Sequence, residues 1–193
     1  MAAVGVRIAD CGGPVAGADA RWRTPLEGLM VGATYTHTDV SAPDSKAGPY
    51  PFPINVRYRL EQVYGQFEKG KLTLSGEWRA SGVWLALGPV PESYGPGRSW
   101  YAMGSYHATS KLTAGAYYQR SSGLYSANAD RSDPANYLND VAVNCRFDFN
   151  RFLYLKLEGH DMQGNLSGFY PQNNPNGYQK NTRLLAVRVG FML

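Results

Sequence analysis

A chain of 193 residues is long enough for one domain, and 44% hydrophobic with 18% charged residues is a composition that folds. No stretch approaches the roughly 18 consecutive apolar residues of a spanning helix and the mean hydropathy is negative, which excludes a helical membrane protein but says nothing against a β-barrel. A net charge of +4 spread without a basic run argues against a nucleic-acid partner, and 14 Tyr with 22 Gly favour strands and turns.

The N-terminal segment "MAAVGVRIADCGGP" lacks the basic start and long apolar core of a signal peptide, and a strand is expected over 2–9. Cys11 and Cys145 lie far apart without metal-type spacing, so neither a disulfide framework nor a metal site is expected. From residue 16 onward, period-2 alternation dominates, the mark of strands with two unlike faces. "AGADARWR" sets Ala16, Ala18, Ala20 and Trp22 against Gly17, Asp19, Arg21 and Arg23, and "LMVGATYTHT" sets Leu29, Val31, Ala33 and Tyr35 against Met30, Gly32, Thr34 and Thr36. "VRYRLEQVYGQF" breaks the pattern: Tyr58, Leu60 and Tyr64 share one parity while Val63 and Phe67 sit on the other, as a β-bulge would produce. The clearest strand is "KLTLSGEWRAS", with Leu72, Leu74, Gly76, Trp78 and Ala80 opposing Lys71, Thr73, Ser75, Glu77, Arg79 and Ser81. The split recurs in "SWYAMGSYHA", "KLTAGAYYQRS", "DVAVNCRFDF" and "RFLYLKLEGHDM", and last in "NTRLLAVRVGFML", where Leu185, Val187, Val189, Phe191 and Leu193 share one parity. These patterns predict about ten strands, near 2–9, 16–23, 29–38, 56–67, 71–82, 98–108, 111–121, 138–149, 151–163 and 182–193.

Short joins at "TPLEG", "EKGK", "ATSK" and "DFNR" alternate with long polar connections at 39–55, 83–97, 122–137 and 164–181. In an up-and-down meander, alternate connections lie at opposite ends, so short turns gather at one rim and long loops at the other. That asymmetry, with short periplasmic turns, belongs to outer-membrane barrels. On the apolar parity, Trp22, Tyr106, Phe147 and Phe149 fall beside short turns, while Tyr35, Trp78, Trp100 and Tyr118 fall toward the long loops, giving two aromatic belts. The fold expected is therefore all-β, an antiparallel up-and-down meander forming all or part of a transmembrane β-barrel.

With "TPLEGLMVGATY", "GKLTLSGEW", "RFLYLKLEGHDMQGN" and the alternating C-terminal stretch, residues 16–193 resemble the Gram-negative outer-membrane porin family, in particular the C-terminal part of a larger porin-like barrel. Porins usually finish on Phe, whereas here Phe191 precedes a final Leu193. The resemblance implies a single barrel domain in the bacterial outer membrane with a periplasmic C-terminus. It also implies surrounding outer-membrane lipid, small hydrophilic solutes, recognition of the C-terminal strand by the barrel-assembly machinery, and room for a homotrimer. Porins with an aqueous channel have about 16–18 strands, so further strands upstream are expected.

In this barrel the polar parity faces the lumen, and the pore-lining candidates are Arg57, Arg59, Glu61, Glu77, Arg79, Asp140, Arg146, Lys156, Glu158, His160 and Arg188. Such charges favour a wet interior. Bases outnumber acids among them, which points to a weak anion preference; the same residues read equally as cross-strand ion pairs stiffening the wall. Glu158 and His160 have the spacing at which a carboxylate orients an imidazole, but no GxSxG, HExxH or Cys beside a His accompanies them, so no catalytic residue and no cofactor are expected. "GPYPFPI" reads as an external loop stiffened by Pro, with an inward-folded constriction as the alternative, and "GFYPQNNPNGYQ" as a polar external loop. Passive diffusion of small hydrophilic solutes is the function these features favour. Its rivals are a soluble lipocalin-like ligand-binding barrel, a barrel enzyme using Glu158 and His160, and the tail of an active-transport receptor.

Overall fold

The computed structural model describes residues 6–8, 10–123, 132–166 and 179–191. In chain order the strands are β1 (Val6–Arg7), β2 (Val15–Arg23), β3 (Leu29–Ala42), β4 (Lys46–Ala47), β5 (Tyr50–Pro51) and β6 (Ile54–Lys69). There follow β7 (Leu72–Leu87), β8 (Val90–His107), β9 (Leu112–Gly123), β10 (Tyr137–Asp148), β11 (Leu153–Gly164) and β12 (Asn181–Phe191), with one 3-10 turn at Pro134–Asn136. Nine strands make one sheet in the order β12-β11-β10-β9-β8-β7-β6-β3-β2, and every neighbouring pair in it is antiparallel. This is the expected meander.

Two expectations about its elements are corrected. Of the strand expected over 2–9, the described part does not join the wall: Val6–Arg7 pairs with Lys46–Ala47, which pairs with Tyr50–Pro51, in a separate three-stranded sheet, and residues 1–5 and 9 lie outside the described ones. Among the described residues the wall therefore has nine strands rather than ten. Nor is 83–97 a long loop, because β7 and β8 continue as a hairpin closed by Gly88 and Pro89. Gly70 at the foot of β6 and Gly88 at this tip have φ of +60° and +56°, the positive values that two-residue hairpin turns need to follow strand twist. Most of the loops at 122–137 and 164–181, "GFYPQNNPNGYQ" included, and the terminal Leu193 lie outside the described residues.

The register sorts every wall residue onto one of two faces, since partners in an antiparallel pair project to the same side. One face carries Trp22, Val31, Val63, Phe67, Leu74, Trp78, Trp100, Tyr106, Tyr118, Val143, Phe147, Leu155, Leu157 and Val187. Its apolar side chains are exposed, with Val143 at 62%, Val187 at 63% and Val189 at 68%. Among the described residues, only Ala42 and Ala142 are buried hydrophobics. A soluble barrel turns its apolar parity inward around a core or ligand; here that parity is the uncovered one. Both expected aromatic belts lie on it.

β6 has no bulge. Its pairing with β7 runs unbroken from Ile54↔Leu87 to Lys69↔Leu72, and that with β3 from Ala42↔Ile54 to Leu29↔Phe67. The break in alternation instead records an exchange of polarity between faces. Below Glu61 the apolar face holds Val63 and Phe67, but toward the hairpin tip the same face holds Glu61, Arg59 and Arg57. The opposite face, polar lower down at Gln62 and Gln66, becomes apolar above at Leu60, Tyr58, Val56 and Ile54 against Val83, Leu85 and Leu87. The strands thus leave one environment and enter another.

β2 and β12 are the edges of the sheet, and each has one unpaired side among the described residues. β2 runs into a short turn, and β12 runs so that Phe191 sits opposite Leu153, beside another short turn. Nine alternating strands must end pointing as they began, so these two edges cannot pair antiparallel with each other.

The two faces predict unequal tolerance of one charge. In lipid vesicles, Val143→Arg should cost about 2–4 kcal/mol of unfolding free energy, the cost of a cation at the bilayer midplane, whereas Asn144→Arg should cost less than 1 kcal/mol. Urea unfolding followed by tryptophan fluorescence measures both; equal costs would refute the orientation.

Candidate functional site

The sheltered face of the sheet gathers most of the charges expected there. Glu77, Arg79, Asp140, Arg146, Lys156, Glu158, His160 and Arg188 all project to it, together with Asp19, Arg21, Arg23, Glu68 and Asp148. Arg57, Arg59 and Glu61 do not. They belong to the other face, near the β7–β8 tip, where Arg57 binds both oxygens of Glu92 at 2.6 and 2.8 Å and lies 5.6 Å from the Trp84 ring, and Arg59 pairs with Glu61. The sequence misplaced these three because parity was carried across a strand whose faces exchange polarity.

The densest part of the sheltered face spans β9, β10 and β11. Ala142 stands directly opposite Tyr117 on one side and His160 on the other and is fully buried beneath them. Above it the Tyr117 hydroxyl donates to Asp140 Oδ2 at 2.6 Å. His160 Nδ1 lies 3.0 Å from the same oxygen and His160 Nε2 lies 3.0 Å from Glu158 Oε1, while Glu158 Oε2 accepts from Lys156. The side chains of Asp140 and His160 are 7% and 10% exposed. A carboxylate oxygen faces each ring nitrogen, so the two nitrogens are both engaged and an imidazolium would donate at each.

Two smaller clusters flank it. Asp19 accepts from Thr34 Oγ1 at 2.7 Å, from the Tyr64 hydroxyl at 2.8 Å and from Arg21 Nε at 2.7 Å, joining β2, β3 and β6. The Tyr64 ring lies over Gly32, where a Cβ would collide with it. Arg146 donates to Asp148 at 2.6 and 2.9 Å and its guanidinium lies 4.1 Å from the centre of the Tyr154 ring, which in turn lies over Gly190. Most of these ion pairs run along one strand, between residues two apart, and stiffen side-chain direction more than they tie strands together.

Of the charges on this face, Arg23, Arg79 and Arg188 are left without a carboxylate partner and Glu68 and Glu77 without a basic one among the described residues. Arg79 bonds only Ser99 Oγ, at 3.3 Å. The "GPYPFPI" segment does not lie across this surface. Tyr50 and Pro51 belong to the small sheet, Tyr50 is 72% exposed, and Phe52 packs over Gly88 at the hairpin tip. Among the described residues, no three His, Cys, Asp or Glu side chains group as a metal site.

No family model matches this chain, and no curated protein does. Among solved structures it is similar to one described as "NanC porin structure in rhombohedral crystal form", at 12% identity and a TM-score of 0.50, over 95% of this chain and 98% of that one. At that identity the likeness concerns the fold, and the chain has a porin-like β architecture: an antiparallel meander of nine strands.

His160 holds two carboxylates that would otherwise repel at a spot the surrounding side chains largely shield from the lumen. His160→Ala should therefore lower stability by about 3 kcal/mol, as expected when one partner of a buried ionic group is removed. Adding Asp140→Asn to that variant should restore part of the loss, a coupling that a double-mutant cycle by denaturant unfolding would register.

Proposed function

We propose that this protein is an outer-membrane porin, a passive diffusion channel for small hydrophilic solutes, with the charged face of the sheet toward the lumen and the apolar face toward lipid. One observation carries the reading: the apolar parity is the exposed one, over a band bounded by aromatic residues and ending where the β6–β8 region turns charged on the same side. Hydrocarbon is the solvent that suits such a band, and water suits the charged surface beyond it. No bond is made or broken in this function. Hydroxyls and charges of the lumen replace part of a solute's hydration while the wall hides them from lipid.

The short-turn rim, with the C-terminal end of β12, faces the periplasm in this proposal, and β12 is the strand presented to the barrel-assembly machinery. A homotrimer is compatible with it. Because β2 and β12 point the same way, antiparallel closure takes an odd number of further strands, and the described sheet is then the C-terminal portion of a larger single-domain barrel. A catalytic role for Glu158 and His160 has less support, since both nitrogens of the imidazole are already committed to carboxylates.

Paired charges contribute little net field, so selectivity falls to the unpaired ones, and Arg23, Arg79 and Arg188 against Glu68 and Glu77 leave a slight anion preference. Full-length protein in a planar bilayer with a salt gradient should give discrete conductance steps and a reversal potential weakly on the anion side. Arg188→Glu should move that potential toward cations. Absence of steps, with the protein partitioning into buffer instead of detergent, would overturn the channel; an unmoved potential would overturn only the role of Arg188.

A further inference from the structure

The outer face holds a second charged feature that the channel does not use. Arg98 and Arg120 project to the same side as Trp100 and Tyr118, each two residues nearer the long-loop rim than the aromatic on its own strand. At strand rise each stands about 7 Å past the aromatic of its own strand, Arg120 in the register row of Trp100 and Arg98 one step past that row, at the rim of the upper aromatic belt. Arg120 is directly opposite Trp100, and Arg98 is opposite Ser122, so the two arginines are diagonal neighbours across the β8–β9 pair. With Lys180, Tyr137, Asn139 and Gln163 they line a cleft of about 530 Å³ in which none of the described lining residues is acidic. Elsewhere on the wall arginine usually finds a carboxylate, as Arg21, Arg57, Arg59 and Arg146 do. The side chains of Arg98, Arg120 and Lys180 have none among the described residues. Asn139 Oδ1 is also sealed from solvent without a donor.

We infer that this cleft binds a phosphate-bearing lipid headgroup of the surrounding leaflet. This rests on the membrane reading above, which puts the cleft at headgroup depth. An aromatic belt marks the interface between hydrocarbon and headgroups, and cations just beyond it meet phosphates with their acyl chains already lying along the wall below. Arginine suits this task because its planar donors fit phosphate oxygens in pairs. Asn139 and Gln163 offer amide groups to the hydroxyls and ester oxygens of a headgroup. The solutes of the lumen cannot be the ligand, since the cleft opens on the opposite side of the sheet.

Native mass spectrometry of the full-length protein in detergent, with phosphatidic acid or phosphatidylcholine added, tests this. Phosphatidic acid should be retained in preference, and Arg98→Gln with Arg120→Gln should weaken its retention about tenfold or more, given the contribution of each cation near a lipid surface. The Arg98→Lys, Arg120→Lys protein should keep most of it, which separates loss of charge from loss of fold. Equal retention of the two lipids, equal retention by the glutamine variant, or displacement of the lipid by an equal concentration of inorganic phosphate would each overturn the inference. A protein that conducts in bilayers but fails these tests sinks the lipid site alone; one that neither conducts nor enters membranes sinks both.

Discussion

The inter-strand hydrogen-bond ladder holds this protein together, because among the described residues there is no apolar core to do so beyond Ala42 and Ala142. In a soluble domain, burying a Val, Leu or Phe side chain contributes about 1.5–3 kcal/mol, and the conformational entropy of the chain is offset mainly by many such burials. Here Val143, Leu185, Val187, Val189 and Phe191 stay uncovered, and in the proposed membrane setting that contribution would come from the surrounding hydrocarbon. Where no water competes, each backbone hydrogen bond is also expensive to lose. Long uninterrupted pairings such as β6 with β7 follow from the same constraint.

The exchange of polarity along β3, β6, β7 and β8 expresses the other half of that constraint. In the proposed membrane setting, strands that reach beyond the rest of the sheet would meet water on the face that lower down meets hydrocarbon, and the side chains are arranged accordingly: Arg57, Arg59, Glu61 and Glu92 on that face, Ile54, Val56, Val83 and Leu85 on the other. Trp84 and Tyr94, with ring centroids 4.8 Å apart, cover Gly82 on the watery side. Phe52 caps the tip from the small sheet. Two environments on one strand explain why a single parity rule fails there, and why no register shift is needed to rescue it.

Charge is arranged differently on the two faces. On the sheltered face, cations and carboxylates neutralise one another at short range and leave a few unpaired groups to set a weak field. On the exposed face, the charges nearest the aromatic belt include Arg98 and Arg120, which have no carboxylate partner among the described residues and which the proposed lipid site assigns to headgroup phosphates. A paired charge costs little inside a wet channel, while an unpaired pair of arginines on an outer wall is a surface waiting for anions.

Much of the wall was legible in the sequence, because a period of two fixes which residues share a face without reference to anything distant. "KLTLSGEW", "DVAVNCRF" and the C-terminal stretch each declared both faces, the aromatic belts fell on the apolar one, and Glu77, Arg79, Asp140, Arg146, Lys156, Glu158, His160 and Arg188 share the opposite face. Only the tertiary structure could decide which face is covered, since alternation is symmetric between inside and outside and exposure is a property of neighbours. Pairing likewise had to be seen before Arg57, Arg59 and Glu61 could be assigned, because their face is set by Trp84, Gly82 and Ala80 across the ladder rather than by their own strand. The cluster of Tyr117, Asp140 and His160, and the cleft of Arg98 and Arg120, join residues from different strands through register, which a linear pattern does not contain.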